Sequence, residues 1–303
     1  MDSLILIVVC MLAGVMLRRQ NVVPPNAHVA LNQFAIYLLL PALSLYYIPK
    51  IHVTEKLLYP VGAGWFSFLF SWAFFATLGN LLKWSRKLQG CLIITGGFLN
   101  SSFIGFPVIE ALYGKQGLKT AIMVDQPGTF VMLSTLGVLV AVLYSRGTPS
   151  AAVIAKRVFS FPPFIGFAIG AAMNLLHYDF IDIVQTVLQK LGSCVTPVAL
   201  VAVGLQLKID RQSKHWGFLA WGLAMKLLFI PAFFFVVYKL ILGAHGELID
   251  ISIMEAATPP MISAAILASA HGLKPKLSGM MVGIGIPLSA LTMAFWYAVL
   301  HYL

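Results

Sequence analysis

The chain has 303 residues, of which 60% are hydrophobic and 10% charged, with a formal net charge of +10. Soluble domains carry about 25% charged residues, so this composition excludes an ordinary soluble enzyme and indicates an all-α polytopic membrane protein. The basic excess does not indicate nucleic-acid binding, because Lys and Arg fall in short loops between apolar runs, where positive charge reports membrane topology.

Ten hydrophobic segments follow in chain order, roughly residues 3–17, 29–48, 58–82, 88–113, 118–144, 160–177, 183–207, 216–242, 248–271 and 276–301. A span takes about 20 apolar residues, with a range of about 17–25; segments 1 and 6 are short and are expected to tilt or to pack inside. Before segment 1, Asp2 stands where a signal peptide has its basic region, and no small-residue cleavage site follows, so no leader is expected. Segment 2 opens on Asn32-Gln33 and kinks at Pro41, and Thr196-Pro197 repeats that feature in segment 7. Cys10, Cys91 and Cys194 are isolated within spans, which excludes a disulfide framework or an ordinary zinc site.

The loops after the odd segments hold thirteen Lys and Arg: Arg18, Arg19, Lys83, Arg86, Lys87, Arg146, Lys156, Arg157, Lys208, Arg211, Lys214, Lys274 and Lys276. The even loops and their flanks hold six, Lys50, Lys56, Lys115, Lys119, Lys190 and Lys239. The excess puts the odd loops in the cytoplasm and both termini outside. At an offset of 156 residues Gly14 matches Gly170, Pro41 matches Pro197 and Trp65 matches Trp221, and at 158 Tyr113-Gly114 matches His271-Gly272. A repeat of five spans is odd, so the second copy enters the membrane upside down. The expected organisation is an inverted pair, residues 1–144 and 160–303, joined by a cytoplasmic connector at 145–159, an arrangement typical of secondary transporters.

Two segments carry residues that a lipid-facing helix avoids. Segment 4 holds Asn100, Ser101, Ser102, Gly105, Pro107 and Glu110; segment 9 holds Glu255, Thr258, Pro259 and Pro260. Proline lacks an N–H and clashes with the preceding turn, so segment 4 is expected to weaken around Gly105 and Pro107 and segment 9 at Pro259-Pro260. Asn100 lies about 18 Å along its span at 1.5 Å per residue, near the midplane, and Thr258 reaches a similar depth from the other side. Two interrupted spans in corresponding positions mark the substrate site of a secondary transporter. The half-helices that begin there, roughly residues 102–113 and 261–271, present N–H groups and a positive dipole end, which suit a carboxylate, while the carbonyls of the preceding halves suit a cation.

Ionisable groups inside spans are functional candidates, because their burial must be offset. Asp125, followed by Gln126-Pro127-Gly128, and Glu255 are the candidates for holding Na+ or a transported proton. Lys226, five residues before Pro231, is too deep to reach the interface; it can neutralise Asp125 or Glu255, or attract an anionic substrate. Glu110 reads as a structural residue near the outer interface. There is no HExxH, Gly-x-Gly-Asp or Asp-rich diphosphate motif, so an enzyme is not expected and no cofactor beyond a coupling ion is implied.

Leu31-Asn32-Gln33-Phe34 with Pro41, Asn100 through Gly105-Phe106-Pro107 to Tyr113-Gly114, Thr258-Pro259-Pro260-Met261-Ile262-Ser263-Ala264 and Gly283-Ile284-Gly285-Ile286-Pro287 together resemble the auxin efflux carrier family of permeases. That family includes bacterial transporters for malonate, malate and similar organic anions. The resemblance implies the crossover fold of plant auxin carriers, bile-acid sodium symporters and certain sodium/proton antiporters, with ten spans and with segments 4 and 9 crossing at their breaks. It implies scaffold helices 1, 2, 6 and 7, transport helices 3–5 and 8–10, and a homodimer through the scaffold. The family's midplane asparagine falls on Asn100 and its crossover prolines on Pro107 and on Pro259 or Pro260. Glu255 takes the place of the sodium-binding glutamate of bile-acid symporters. The long central loop of the plant carriers is missing, which argues against auxin as substrate.

The expectation is therefore a permease of the bacterial inner membrane that carries a small organic anion, a mono- or dicarboxylate, coupled to H+ or Na+ through elevator-like movement. The substrate would sit against Asn100, Ser101, Ser102, Gly105, Pro107, Thr258, Pro259 and Pro260. The alternative is a cation/proton antiporter of the same fold with no organic substrate.

Overall fold

In a bilayer every backbone polar group must be satisfied within its own segment, which leaves an apolar chain little choice but helix. A computed structural model describes residues 2–52, 54–145, 159–160, 162–206 and 216–302. Among the described residues the regular elements are helical, and the one strand-like pairing is an isolated antiparallel bridge between Leu99 and Pro260. Among these same residues six stretches are long and apolar enough to cross a membrane: Ala27–Lys50, Glu55–Leu81, Ser101–Ser145, Asp182–Leu205, Trp216–Ile241 and Pro275–Tyr302. A shorter apolar helix covers Pro162–Leu175. Most of the expected connector at 145–159 lies outside the described residues, as do Arg146, Lys156, Arg157, Lys208, Arg211 and Lys214 from the topology count.

The 45-residue stretch Ser101–Ser145 is about 68 Å of helix at 1.5 Å per residue, twice a hydrocarbon core of about 30 Å. It does not run straight. Gly114 adopts φ 72° and ψ −177° inside it, a left-handed φ that only glycine takes up without strain. Ser102 and Asp125, on either side of that glycine, are hydrogen-bonded to each other, so the chain doubles back there. The division between segments 4 and 5 is therefore one residue rather than a loop.

Prolines leave a second mark. Ala35–Leu39, Ser101–Gly105 and Met225–Phe229 are π-helical turns, each followed two residues later by Pro41, Pro107 or Pro231. In each case the residue before the proline reaches back five residues for its hydrogen bond: Leu40 to Ala35, Phe106 to Ser101 and Ile230 to Met225. The widened turn relieves the clash that a proline ring makes with the carbonyl four residues earlier. Leu227 O, whose helical partner would be Pro231, accepts from Trp296 Nε1 at 3.0 Å instead.

Close packing relies on small residues, as in other membrane bundles. Segment 1 lies against segment 7, and a Cβ on Gly14 would meet the Val201 carbonyl and come within 2.9 Å of Gly204 Cα. Segment 2 lies against segment 6, where a Cβ on Gly170 would come within 2.9 Å of Ile48 Cβ. Asn174 Nδ2 fastens the end of segment 2 by converging on the carbonyls of Ile48, Pro49 and Ile51 at 3.1, 2.9 and 2.7 Å. Segment 1 does not pack inside, contrary to one expectation for a short segment. Its helix extends over Asp2–Arg19, and Ile5, Val8, Val9, Leu12 and Met16 are each more than half exposed.

Gly204→Leu drives a side chain into the Met11 carbonyl and Gly14 and is expected to cost about 1–3 kcal/mol through overpacking, lowering the thermal midpoint in detergent. Gly217→Ala, where a Cβ meets nothing within 4 Å, should leave that midpoint unchanged.

Candidate functional site

Segment 9 breaks for a reason that can be followed atom by atom. The helix Glu247–Ala256 stops before Pro259-Pro260, and a new helix covers Ile262–Ala270. In a continuous helix the carbonyls of Glu255 and Ala256 would accept from the N–H groups of residues 259 and 260. Both are prolines and donate nothing. Thr258 satisfies the first carbonyl, its Oγ1 donating to Glu255 O at 2.6 Å and its N–H at 3.1 Å. Lys226 satisfies the second, Nζ donating to Ala256 O at 2.8 Å.

Segment 4 breaks earlier than the prolines in it suggest. The helix Arg86–Gly97 ends, Phe98–Asn100 runs extended or irregular, and helix resumes at Ser101 as a π turn that continues into Phe106–Met123. Gly105 and Pro107 lie beyond the break, in the first turns of the second half-helix. Proline is at ease in a first turn, where N–H groups have no intrahelical partner, and the preceding π turn absorbs its ring. Gly105 makes room for segment 9, because a Cβ there would run into the carboxylate of Glu255. It allows the two half-helices to touch.

The two breaks meet. Besides the Leu99–Pro260 bridge, Asn100 N–H donates to Thr258 Oγ1 at 3.1 Å, and Asn100 Nδ2 donates to Pro260 O at 3.3 Å. Thr258 Oγ1 thus links the backbones of both segments. Gly285 in segment 10 lets the Pro260 ring settle against it, since a Cβ would come within 2.7 Å of Pro260 Cδ; this gives the Gly283–Gly285 run its place. Pro259 acts through its missing donor.

Asp125 does not pair with Lys226. Ser102 Oγ donates to Asp125 Oδ1 and Gln126 Nε2 to Asp125 Oδ2, each at 2.7 Å, and the Ser102 backbone amide lies beside the same carboxylate. The carboxylate therefore caps the start of the Ser101 half-helix, where the positive dipole end favours a negative charge. Gln126 is the partner that sequence reasoning passed over; a glutamine next to an aspartate deep in an apolar run was the available signal. Lys226 faces segment 9, where its ammonium sits on the carbonyl of Ala256, the residue after Glu255.

The set is shut off from solvent: Asp125, Gln126, Lys226, Asn100, Ser101, Glu255 and Thr258 are all buried. Several of its polar atoms nonetheless lack a hydrogen-bond partner, namely Asn100 Oδ1, Ser101 Oγ, Gln126 Oε1 and both carboxylate oxygens of Glu255. Ser101 lies close to Glu255. Buried polar atoms are ordinarily paired, so a cluster of unpaired ones is a place for a ligand, an ion or water. Glu255 is the carboxylate there with both oxygens unpartnered, whereas each oxygen of Asp125 already accepts one hydrogen bond. Among the described residues no three His, Cys, Asp or Glu side chains converge as a metal site. Glu110 stands apart, accepting from Thr196 Oγ1 at 3.0 Å beside a narrow cleft that Tyr46, Tyr47, Lys115 and Gln189 also line.

Thr258→Val deprives the buried Asn100 N–H of its acceptor, at a cost of about 1–3 kcal/mol, whereas Thr258→Ser keeps the hydroxyl. Thermal unfolding in detergent should separate the two, with the valine variant clearly less stable. Equal midpoints would remove Thr258 as the link between the breaks.

The sequence profile of the family described as Membrane transport protein matches residues 1–297. A protein of Methanothermobacter thermautotrophicus described as an uncharacterized transporter is 28% identical over 309 residues, covering 99% of this chain and 98% of that protein. One of Methanocaldococcus jannaschii, described in the same words, is 24% identical over 306 residues, 98% of this chain and 97% of its own length. Auxin efflux carrier component 5 of Arabidopsis thaliana is 22% identical over 264 residues, 73% of this chain and 74% of that protein.

Proposed function

This chain belongs to the membrane transport protein family of the auxin efflux carriers, and on that premise we propose that it is a secondary active carrier for a small organic anion. The cargo is a mono- or dicarboxylate, its movement is coupled to H+ or Na+, and alternating access is elevator-like. The observation that carries the reading is the meeting of two broken helices at Asn100, Thr258 and Pro260, with buried, unpartnered polar atoms around it. Irregular backbone at membrane depth is tolerated where protein or a cavity satisfies it, and transporters build their substrate sites there. The donors offered to a carboxylate are the Ser101 hydroxyl, the Asn100 amide, Lys226 and the leading N–H groups of the Ile262–Ala270 half-helix.

The proposed architecture is ten spans in two inverted five-helix repeats. Two contacts support it: Gly14 against Gly204 has a counterpart, 156 residues on, in Gly170 against Ile48, with the roles of the two halves exchanged. The contacts also support the division into scaffold and transport helices. Segment 1 packs chiefly on 7, and segment 2 on 6 and 7, while segments 3–5 and 8–10 pack chiefly on one another. The Thr196–Glu110 hydrogen bond spans the seam across which the two groups would slide. The proposed setting is a bacterial inner membrane with both termini outside, and the proposed assembly a homodimer through the scaffold helices.

The cation/proton antiporter remains the second reading, and one observation favours it. The unpaired atoms of the joint are mostly acceptors, Asn100 Oδ1, Gln126 Oε1 and the Glu255 oxygens, with the Ser101 hydroxyl as the donor among them, and an excess of acceptors suits a cation.

Thermal unfolding of the purified protein with malate, malonate, succinate, citrate, lactate or an indole acid, with and without Na+ and at two pH values, tests the proposal. A bound ligand stabilises the native state by about 2.7 kcal/mol at one hundred times its Kd. One carboxylate is expected to raise the midpoint, and Asn100→Ala to lose that response and transport while remaining folded. Silence from every anion, together with a shift from Na+ or pH alone, would move the assignment to the antiporter.

A further inference from the structure

Transporters with broken helices commonly coordinate Na+ with the carbonyls that unwinding sets free, at the C-terminal end of a half-helix. In segment 9 those carbonyls belong to Glu255 and Ala256, freed by Pro259 and Pro260. Neither is vacant: Thr258 holds the first at 2.6 Å and the Lys226 ammonium the second at 2.8 Å. Among the described residues Lys226 is also the buried basic side chain, fully enclosed, and Glu255, one residue before Ala256, is a fully enclosed carboxylate with no hydrogen-bond donor on either oxygen.

We infer that Lys226 is the resident cation of the crossover, its ammonium standing in for Na+ at the end of the Glu247–Ala256 half-helix, so that ligand binding at this site does not require Na+. The inference rests on the crossover being the transport site, and within that reading it removes Na+ as the coupling ion. Three features of the fold support it. An ammonium and a sodium ion both carry one positive charge to carbonyl oxygens, and an ammonium does so with three directed donors, of which only one is spent on Ala256 here. The C-terminal end of a helix carries a partial negative charge that a cation stabilises. Lastly, the π turn Met225–Phe229 and Pro231 bend segment 8 around Lys226, while Trp296 Nε1 satisfies the Leu227 carbonyl that Pro231 leaves open.

The Glu255 carboxylate, one residue before the carbonyl that this ammonium holds, is the charge that it balances across the joint, without a direct hydrogen bond between them. Asp125 has its own donors in Ser102 and Gln126 and does not need the lysine.

The test uses cations alone on the purified protein. Thermal midpoints are measured while NaCl replaces choline chloride at constant ionic strength, for the wild type and for Lys226→Ala. The wild-type curve should be flat. The alanine variant, which opens a space beside a carbonyl and a carboxylate, should start lower and recover by a few degrees, saturably, as Na+ rises. A saturable Na+ response in the wild type, or an alanine variant indifferent to Na+, overturns the inference. If Lys226→Ala does not yield folded protein, Lys226→Met is compared with Lys226→Met/Glu255→Gln. Removing both charges should restore part of the midpoint lost with the lysine alone, and a double variant no more stable than the single overturns the pairing. Since no anion enters the experiment, its failure leaves the carboxylate reading of the site to be judged by its own panel.

Discussion

Two adjacent prolines govern the centre of this molecule. Pro259 and Pro260 take away the donors that would close the last turn of the Glu247–Ala256 helix, and in the middle of a bilayer there is no water to replace them. An unpaired backbone carbonyl in that setting costs several kcal/mol, on the order of a large share of a domain's stability. The chain meets the demand from three directions. Thr258 folds its hydroxyl back onto Glu255 O, Lys226 reaches across from segment 8 to Ala256 O, and Asn100 arrives from segment 4 with its amide on Pro260 O. A broken helix is thereby converted into a joint that ties together segments 4, 8 and 9.

The same accounting runs through the rest of the bundle. The Leu227 carbonyl that Pro231 leaves open finds an indole, Trp296 Nε1, and a second indole, Trp65 Nε1, donates at 2.8 Å to Pro127 O inside the π turn Val124–Phe130. Where two helices must approach closely, glycine supplies the room, at Gly14 against Gly204 and at Gly105 against Glu255. Lipid does not drive helices together as water does, so close contact and satisfied hydrogen bonds have to do it. Unpaired buried polar atoms occur singly elsewhere, at His28, Asn32, Ser67, Tyr113 and Thr129. At the joint they gather, on Asn100, Ser101, Gln126 and both oxygens of Glu255.

Much of this was legible in the sequence, and the parts that were not have physical reasons. Apolar run lengths located the helices, and the Pro259-Pro260 pair located the break in segment 9, because a doubled proline leaves the backbone no helical solution. In segment 4 the weakening assigned to Gly105 and Pro107 lay too far along the chain, because a single proline preceded by a widened turn is compatible with the first turns of a helix. The depth of Asn100, with a half-helix expected from about residue 102, placed the break to within a residue or two of the observed restart at Ser101. Gly114 was visible as a boundary but not as the whole of the turn. The partner of Lys226 was beyond reach, since Asp125 and Glu255 lie at similar depth and only the rotation of segment 8 decides which of them the lysine faces. The exposed flank of segment 1 was equally hidden, because an apolar helix reads alike against lipid and against protein.

The arrangement also limits what a substrate can do. One half-helix begins at Ser101, and its positive end is occupied by the chain's own carboxylate, Asp125. The other half-helix ends at Ala256, and its negative end is occupied by the chain's own ammonium, Lys226. Each dipole end at the midplane that faces across the joint is thus already compensated by an internal charge of the right sign. A carboxylate entering here does not meet an empty field. It must draw on the Lys226 ammonium, which still has donors to give, or on the leading N–H groups of Ile262–Ala270, and it must remain clear of Asp125 and Glu255. An anion that recruits Lys226 leaves Glu255 without its balancing charge inside a closed, low-dielectric site. In that event a neutral acid at Glu255 would cost less than an unpaired buried charge. Under the proposed carrier reading, coupling of an anion to a proton would follow from these buried charges, with no separate ion site required.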